Sequence, residues 1–384
     1  MTVFFSEPIR IIARSQRLQL RTPYYLIDEA RLQNNLEIIK FVREKSGTKS
    51  VLALKCFSTW CVFDLMRQYM DGTTSSSLNE ARLGHEKFGK EVHAYSVVYS
   101  AEEIEAVSGF ADKVIFNSVS QLKMFHNRVR GLNVGLRVNP GFSYSHFDLA
   151  DPARRYSRLG VCDEHELHAS ANLINGIMFH FNCENDDIDN IASTIDQIGI
   201  KYAALLEKME WVSLGGGIYF TKKGYPLEIF CGILKNFSEK YGVQVYLEPG
   251  EAAITNSTDL VTTVLDVVHN EVDIAIVDAS VEAHLLDHLI YRTNPKISSP
   301  GPGPCRITIA GRSCLAGDIF GNYELEAMLK VGDEVRFADA AGYSMVKKNW
   351  FNGLPMPSIA VRRLNGNVEV VRRFGFEDYL DNLS

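Results

Sequence analysis

The 384-residue sequence lacks several features that would assign it to large protein classes. It has no apolar run near the roughly 20 residues of a membrane span and no basic-then-apolar start, so we expect neither a membrane partner nor a secretory signal. Its seven cysteines include no CxxC pair, which disfavours a disulfide or zinc framework and favours reduced thiols in the cytoplasm without a metal site. The net charge of -7 is spread along the chain and disfavours nucleic acid as a partner.

What the sequence does contain is a regular alternation of short apolar strands with helical patterns. Eight strands are predicted: Val51–Leu54, Thr73–Ser77, Val92–Ser96, Lys113–Phe116, Val134–Val138, Gly176–Phe181, Trp211–Leu214 and Val243–Leu247. Such alternation predicts a parallel sheet, and this number of units is the count of a (β/α)₈ barrel. An open doubly wound sheet is less favoured because no GxGxxG motif follows the first strand.

The character of the chain changes after about residue 255. Segments rich in β-branched residues follow one another without long helices, which predicts a separate antiparallel β domain. The predicted fold is therefore α/β, with a barrel over residues 30–255 and a β-rich domain formed by residues 1–29 plus 256–384. The longer polar segment Gly141–Glu166 is predicted to form a loop over the barrel mouth.

Barrel enzymes assemble their sites from residues at the C-terminal ends of the strands. Applied to the predicted strands, this rule selects a small polar set: Lys55, Ser77, Asn117, Arg137, His180, Gly215, Gly216, Gly217 and Glu248. A lysine, a histidine, a triple glycine and a glutamate at one mouth are what a pyridoxal 5'-phosphate (PLP) site needs. We include Arg137 among the candidate cofactor-binding residues.

Each of these residues also has an ordinary structural interpretation. Lys55 ends the buried run Val51–Leu54 and could simply reach solvent, or it could be a lysine with a lowered pKa that forms a Schiff base. Glu248 precedes Pro249 and could be a turn carboxylate or the partner of a pyridine nitrogen. His180, between two phenylalanines, could be a core residue or a ring that stacks on a cofactor.

The order of motifs decides between these interpretations. The lysine segment, His180, the glycine turn, Glu248-Pro249-Gly250, Gly311–Asp318 and Gly342-Tyr343 occur in an order that resembles the alanine-racemase-fold (fold type III) PLP decarboxylases, which include diaminopimelate, ornithine and biosynthetic arginine decarboxylases. Finer motifs are similar to the carboxynorspermidine/carboxyspermidine decarboxylase branch, and they are Leu52–Trp60, Asp71–Ser76, His93–Ser96, Asn182–Asn185, Glu248–Ala252 and Asn349–Gly353. The resemblance runs from about Thr22 to Tyr379.

The resemblance implies a role for each matching residue. It implies that Lys55 binds the cofactor covalently, that His180 stacks on its ring and that Glu248 pairs with the ring nitrogen. It also implies that Gly215–Gly217 hold the phosphate with Tyr343 nearby. It further implies a homodimer in which Cys314 and Asp318 reach the partner's site, where Cys314 donates or positions a proton.

The implied reaction is PLP-dependent decarboxylation of carboxynorspermidine or carboxyspermidine to norspermidine or spermidine, in polyamine biosynthesis. Glu251 stands where ornithine and diaminopimelate relatives carry a phosphate-binding arginine, so it could instead pair with a substrate ammonium. Asp287 is a second candidate for that role, or a solvated helix carboxylate.

Three alternatives remain at this stage. Decarboxylation of diaminopimelate is disfavoured because Leu315 replaces an acidic residue of those relatives. Alanine racemase fits less well because that family places a cation, not a glutamate such as Glu248, at the ring nitrogen. A non-catalytic PLP carrier is disfavoured because the chain keeps a β domain, and a decarboxylase-like regulatory binder is disfavoured because the chain keeps Lys55 and Cys314.

Overall fold

The computed structural model describes residues 20–384, which form a closed parallel barrel and a nine-stranded sheet. The first strand, β1 (Tyr24–Asp28), belongs to the sheet, and the barrel follows it in the chain. The barrel strands are β2 (Lys49–Ala53), β3 (Gly72–Ser75), β4 (Glu91–Tyr95), β5 (Lys113–Phe116), β6 (Asn133–Val138), β7 (Gly176–Phe179), β8 (Trp211–Ser213) and β9 (Gln244–Leu247). All neighbouring strands pair in parallel and β2 pairs with β9, so the predicted barrel is confirmed.

Helices cover the outside of the barrel. They are α1 (Glu29–Ser46), α2 (Phe63–Met66), α3 (Leu78–Leu83), α4 (Ala101–Ser108), α5 (Val119–Phe125), α6 (Glu164–Ala169), α7 (Ile188–Lys201), α8 (Ala203–Leu206) and α9 (Leu227–Tyr241). Serine or aspartate side chains cap most of them, as where Asp28 accepts the N–H groups of Ala30 and Arg31 at 3.0 and 3.1 Å. In α7 the buried positions Ile191, Ile195 and Ile198 follow helical spacing and face the core.

The second sheet is formed by β1 and by strands from the last third of the chain. These are β10 (Thr258–Asn270), β11 (Val272–Val277), β12 (Ile297–Ser299), β13 (Pro302–Ala310), β14 (Ile319–Leu325), β15 (Glu334–Phe337), β16 (Ser358–Arg362) and β17 (Val368–Arg372). Short helices between or after them are α10 (Glu251–Ile254), α11 (Val281–His284), α12 (Leu286–Tyr291), α13 (Ser344–Lys347) and α14 (Phe376–Leu383).

This sheet is mixed, although the sequence suggested antiparallel pairing throughout. Most of its pairs are antiparallel, but β1 pairs in parallel with β16, and β11 with β13. Long connections separate the strands of both pairs, so no hairpin fixes their direction. The domain boundaries at residues 30–255 and 1–29 plus 256–384 remain a proposal, and residues 1–19 of the second unit lie outside the described residues.

The N-terminal end of the barrel is closed by a buried ionic cluster. Glu91 Oε2 accepts hydrogen bonds from Lys113 Nζ at 3.1 Å and from the Tyr246 hydroxyl at 2.9 Å, and it lies 3.2 Å from His93 Nε2. Lys49 pairs with the other carboxylate oxygen. Burial alone would raise the pKa of Glu91, but the hydrogen bonds and the charge of Lys113 outweigh burial and hold that pKa well below its usual range.

Replacing Glu91 by glutamine is expected to lower the free energy of unfolding by about 3 kcal/mol, because the buried Lys113 loses its counter-charge. Since the folded pKa lies below the unfolded value, the wild-type contribution is present above about pH 4.3 and is lost as the pH falls toward the folded pKa. Urea denaturation at pH 7 and pH 4 measures both effects. The matched control is Glu86→Gln, which removes an exposed partner of Arg82 and is expected to leave the unfolding midpoint unchanged.

Residues 20–384 contain neither a candidate membrane span nor a candidate metal-binding cluster. No described helix is long and apolar enough to cross a membrane. No group of three or more histidine, cysteine, aspartate or glutamate side chains in that range has a geometry that could hold a metal ion.

Candidate active site

Lys55 lies just past β2 at the C-terminal mouth of the barrel. The strand ladder continues up to it, because Ala53 N–H donates to Pro249 O at 3.1 Å and Leu54 N–H donates to Thr74 O at 3.0 Å. A small pocket opens at this point, and its lining residues are Ala53, Lys55, Thr74, Ser75, Ser76, Tyr95, Arg137, Met178, His180 and Glu248. Four residues that the strand-end rule selected, Lys55, Arg137, His180 and Glu248, therefore share one pocket.

The side-chain nitrogen of Lys55 faces the imidazole of His180. Lys55 Nζ lies 3.3 Å from His180 Nε2, and Gly216 N–H donates to His180 Nδ1 at 3.1 Å. Burial lowers the pKa of both Lys55 and His180, and the charge of Arg137 lowers them further. An Nδ1 that accepts from the backbone leaves the proton of the neutral imidazole on Nε2. The lowered pKa favours the neutral amine of Lys55, whose lone pair is what can attack a carbonyl.

Glu248 is the buried carboxylate of the pocket and is 5% exposed. Burial raises its pKa, while the hydrogen bond from the Ser213 hydroxyl, which is 2.5 Å from Oε1, favours the charged form. Ser213 Oγ in turn accepts Gly215 N–H at 3.1 Å. The carboxylate is therefore fixed in direction by β8 and by the turn that follows β8.

Arg137 supplies a fixed positive charge to the same pocket. Its Nη1 donates to the Tyr95 hydroxyl at 2.9 Å, and that hydroxyl donates to Asn117 Oδ1 at 2.9 Å. The guanidinium carbon also lies 5.2 Å from the centroid of the Tyr95 ring. Asn117, another residue that the strand-end rule selected, thus orients Tyr95 and Arg137, and it does not line the pocket itself. Ser77 likewise does not line the pocket, because its side chain caps α3 by accepting Glu80 N–H at 3.2 Å.

The backbone N–H groups of the glycine turn, Gly215–Gly217, are only partly available to bind a phosphate. We predicted that three backbone N–H groups close on an anion, but two of them are engaged within the protein, that of Gly215 with Ser213 and that of Gly216 with His180. Among the described residues, no protein acceptor pairs with the N–H of Gly217. Glycine is required at these positions because a Cβ at Gly216 would lie 2.3 Å from Glu248 O and one at Gly217 would lie 2.0 Å from Asn182 O.

Carboxylates gather next to this pocket, beyond Cys56. The Cys56 thiol lies 3.6 Å from Glu251 Oε2, and Gly342 packs so closely on Glu251 that a Cβ there would lie 1.8 Å from Oε2. Burial raises the pKa of Glu251 to about 8, and the charges of Asp339, Glu184 and Asp287 contribute to that rise. We refer to Glu251, Glu184, Asp287 and Asp339 as the acidic wall.

Asp287, a member of the acidic wall, and Tyr343 both have contacts that the sequence did not indicate. Asp287 does not present a free carboxylate, because Lys347 Nζ lies 2.5 Å from its Oδ1. Tyr343 donates its backbone N–H to Cys56 O at 3.0 Å, which brings it beside the Lys55 segment, and its φ of 54° is in the left-handed region. Burial raises the pKa of the Tyr343 hydroxyl well above its ordinary value, so the hydroxyl is protonated.

The segment with Cys314 lies apart from the pocket. Cys314 is exposed, its N–H donates to Asn352 Oδ1 at 2.7 Å, and it does not line the pocket of its own chain.

Asp318 is 3% exposed, and its carboxylate accepts the N–H groups of Val281 at 2.8 Å and Ser313 at 2.9 Å. Each Asp318 oxygen accepts a backbone N–H group, so the carboxylate orients the loop that bears Cys314, and its contact with a substrate stays a prediction.

The comparison with protein families identifies this arrangement. The family model described as "Pyridoxal-dependent decarboxylase, C-terminal sheet domain" matches residues 24–341. The chain belongs to the pyridoxal-dependent decarboxylase family.

Relatives of this decarboxylase share most of its length. It is 50% identical over 365 residues, 95% of this chain and 100% of the relative, to the carboxynorspermidine/carboxyspermidine decarboxylase of Herminiimonas arsenicoxydans. It is 34% identical over 98% of this chain and 99% of the relative to a carboxyaminopropylagmatine decarboxylase of Synechocystis. Among solved structures, it matches the carboxynorspermidine decarboxylase of Campylobacter jejuni complexed with norspermidine at a TM-score of 0.88 and 34% identity, covering 94% of this chain and 100% of that chain.

The pocket of the decarboxylase fits the family's cofactor, PLP. Lys55 offers a neutral amine for an aldehyde, and Glu248 is a buried carboxylate suited to a pyridinium N–H. The ring of His180 is held by the backbone N–H of Gly216, and the N–H of Gly217 is free of protein acceptors in the part of the chain that the structure describes. A free N–H in a glycine turn is a suitable donor for an anion such as a phosphate.

Sequence reasoning missed several residues of the decarboxylase pocket. Thr74 and Tyr95 lie in the last two positions of β3 and β4, and the rule that selected Lys55 could have found them if inward-facing positions had been included. Ser213, the last residue of β8, does not line the pocket but donates to Glu248. Lys347 lay in a segment that the resemblance covered, but nothing in its local pattern indicated a contact with Asp287, 60 residues earlier in the chain.

Proposed function

We propose that this decarboxylase converts carboxynorspermidine or carboxyspermidine, or both, to norspermidine or spermidine, as a step of polyamine biosynthesis. The observation that supports this most strongly is the acidic wall next to a PLP-type pocket. The acidic wall provides negative charge for a cationic amine chain close to Lys55. In addition, two relatives at 50% and 36% identity are named carboxynorspermidine/carboxyspermidine decarboxylase.

When bound, PLP supplies an electron sink for the electron pair of the bond to the departing carboxylate. Glu248 would supply a negative charge to a protonated ring nitrogen, and that positive charge would favour the carboxylate form although burial raises the pKa of Glu248. Lys55 Nζ would be the nucleophile that holds the cofactor, and as a free amine it could carry a proton at Nζ. His180 keeps its Nε2 proton directed at Lys55 and presents its ring to the pocket.

Glu251 is proposed to bind a substrate ammonium. Its carboxyl group is buried behind Cys56, and its raised pKa means that it is largely protonated at neutral pH in the empty site. A cation brought next to it favours the charged carboxylate, so binding releases a proton. The pair that forms is a charge-assisted hydrogen bond in a site of restricted water access.

Cys314 is proposed to act in the site of a second copy of the chain, as the donor or positioner of the proton returned to the substrate α-carbon. Its exposure and its absence from the pocket of its own chain support a homodimer with shared sites. We further propose a cytoplasmic enzyme without nucleic-acid or membrane partners. Seven free thiols and a net charge of -7 are consistent with this proposal.

Replacing Glu251 by glutamine is expected to flatten the pH dependence of norspermidine binding. Because the empty wild-type site holds a proton that the complex releases, wild-type affinity rises with pH up to about pH 8, by as much as about tenfold per pH unit. Calorimetric titration of the PLP-loaded enzyme between pH 6 and pH 8.5 measures this slope. The glutamine variant shares any titration of norspermidine itself, so equal slopes in both proteins would contradict the role of Glu251.

The function itself is tested by carbon dioxide release with four substrates: carboxynorspermidine, carboxyspermidine, carboxyaminopropylagmatine and meso-diaminopimelate. We expect release from one or both carboxy-polyamines to be the fastest. A preference for carboxyaminopropylagmatine would assign the chain to the activity that the Synechocystis relative is named for. A preference for diaminopimelate, or no release from any carboxy-polyamine, would refute the proposal.

A further inference from the structure

An ammonium group of the chain itself already occupies part of the acidic wall. Lys347 Nζ lies 2.5 Å from Asp287 Oδ1 and 5.0 Å from the centroid of the Tyr343 ring. A carboxylate combined with an aromatic ring is the same set of contacts that proteins use to bind alkylammonium ligands. Lys347 therefore presents to Asp287 the chemical group that an aminopropyl chain also ends in.

The charges around this pair are unbalanced. The acidic wall contains four carboxyl groups, three of which act on Glu251 strongly enough to raise its pKa together with burial. Among the described residues, Lys347 is the one cation that forms an ion pair with any member of the wall. A cationic ligand that enters this region thus supplies positive charge that the carboxylates lack. At Asp287 the ligand must compete with Lys347 for the carboxylate.

The position of the pair allows such competition. Asp287 is in the first turn of α12, and Lys347 is the last residue of α13, which begins after Tyr343. The side chains are 35% exposed for Lys347 and 21% for Asp287, so the pair is accessible and not locked in the core. The next residue, Lys348, points elsewhere and donates to Met345 O at 2.7 Å.

We propose that Lys347 is a specificity-determining residue that occupies an ammonium subsite at Asp287 in the empty enzyme, and that a distal ammonium of the polyamine chain displaces it. This inference rests on the proposed function. Lys347 weakens binding of every ligand whose amine reaches Asp287, including the product, and so favours product release. Ligands too short to reach Asp287 leave the ion pair intact and are unaffected.

The test is norspermidine affinity of the PLP-loaded enzyme, measured by calorimetry for wild type, Lys347→Met, Lys347→Gln and Lys347→Arg. Removing the competing cation is expected to tighten binding by about fivefold in the Met and Gln variants, because partly exposed ion pairs of this kind are modest in strength. The KM for carboxynorspermidine is expected to fall by a similar factor. Lys347→Arg keeps a cation and is expected to stay near wild type, as is Lys330→Met, which removes the same charge from an exposed loop.

A double-mutant cycle locates the effect. In an Asp287→Asn background, Lys347→Met is expected to leave norspermidine affinity unchanged, because the contested carboxylate is gone. Unchanged or weaker binding in both Lys347→Met and Lys347→Gln, with wild-type unfolding midpoints, would overturn the inference and make Lys347 a scaffold for Asp287. If no variant, wild type included, binds norspermidine, the proposed function fails and this inference fails with it. Equal affinity across the series overturns only the inference.

Discussion

Replacing Lys55 by alanine is expected to reduce carbon dioxide release from carboxynorspermidine by about 10³-fold or more. The substitution removes the side-chain amine whose Nζ lies 3.3 Å from His180 Nε2. Among the residues that line the pocket, Lys55 is the one that carries a primary amine. The substitution also removes a group that can hold a proton at the mouth of the barrel. Because Lys55 follows the last residues of β2 and adds no hydrogen bond to the barrel ladder, the unfolding midpoint is expected to change little.

Borohydride trapping provides the control for this prediction. Treating the PLP-loaded wild-type protein with borohydride and digesting it is expected to yield one modified peptide, which contains Lys55. The Lys55→Ala protein is expected to yield none, even at high PLP. Label on a different lysine, or activity of Lys55→Ala within tenfold of wild type, would contradict the assignment of Lys55 as the attachment residue.

Replacing Glu248 by glutamine is expected to lower kcat by about 10²–10³-fold. Glutamine has nearly the same shape and still accepts the Ser213 hydroxyl, but it cannot ionise, whereas the Glu248 carboxyl next to Lys55 and Arg137 can supply a negative charge to a cationic ring. The loss therefore concerns the charge that holds a ring nitrogen protonated, and KM is expected to change much less than kcat. Steady-state kinetics at saturating PLP separates these two parameters.

Ser213→Ala is the matched control for Glu248→Gln. It removes the 2.5 Å hydrogen bond to Glu248 Oε1 and leaves the carboxylate in the pocket. We expect a kcat much closer to wild type than in Glu248→Gln. If Glu248→Gln retained wild-type kcat while Ser213→Ala lost activity, the hydroxyl and not the charge of Glu248 would be the essential feature.

The barrel and the core of its site could be predicted because both are local in sequence. Short apolar strands with helices between them specify a parallel barrel, and the residue after such a strand must lie at the mouth. Lys55, Arg137, His180 and Glu248 share a pocket because each lies in the last two positions of a barrel strand or within two residues after it. The resemblance added the cofactor and the reaction, which strand positions could not supply.

What could not be predicted depends on contacts between distant residues. The parallel pairing of β1 with β16 joins residues more than 300 positions apart, and no turn sequence encodes it. The glycine turn looked like a set of free donors, but whether an N–H is free depends on Ser213 and His180, which only folding brings near. The resemblance implies that Asp318 reaches the partner's site, but the sequence does not show that its oxygens accept N–H groups from two segments.

The clustering of charged strand residues could not be predicted from each residue considered alone. Lys49, Glu91 and Lys113 appear in the sequence as polar flanks of apolar strands, yet they form one cluster that closes the end of the barrel opposite Lys55. Lys347 is a similar case on the functional side, since an exposed lysine at a helix end is ordinary until Asp287 is found beside it. In both cases the relevant quantity is the local sum of charges, which sequence spacing does not determine.

The proposed substrate preference is tested most directly by a competition between substrates in one reaction. The PLP-loaded enzyme is given equal concentrations of carboxynorspermidine, carboxyspermidine and meso-diaminopimelate, and mass spectrometry follows the loss of each, so that the ratios of kcat/KM are measured. We predict that the carboxy-polyamines are consumed at least about 10²-fold faster than diaminopimelate, because the far end of their chain carries only cationic amines, whereas the distal ammonium of diaminopimelate bears a carboxylate that Glu251 and Asp287 repel. Consumption of diaminopimelate at an equal or greater rate would contradict the account.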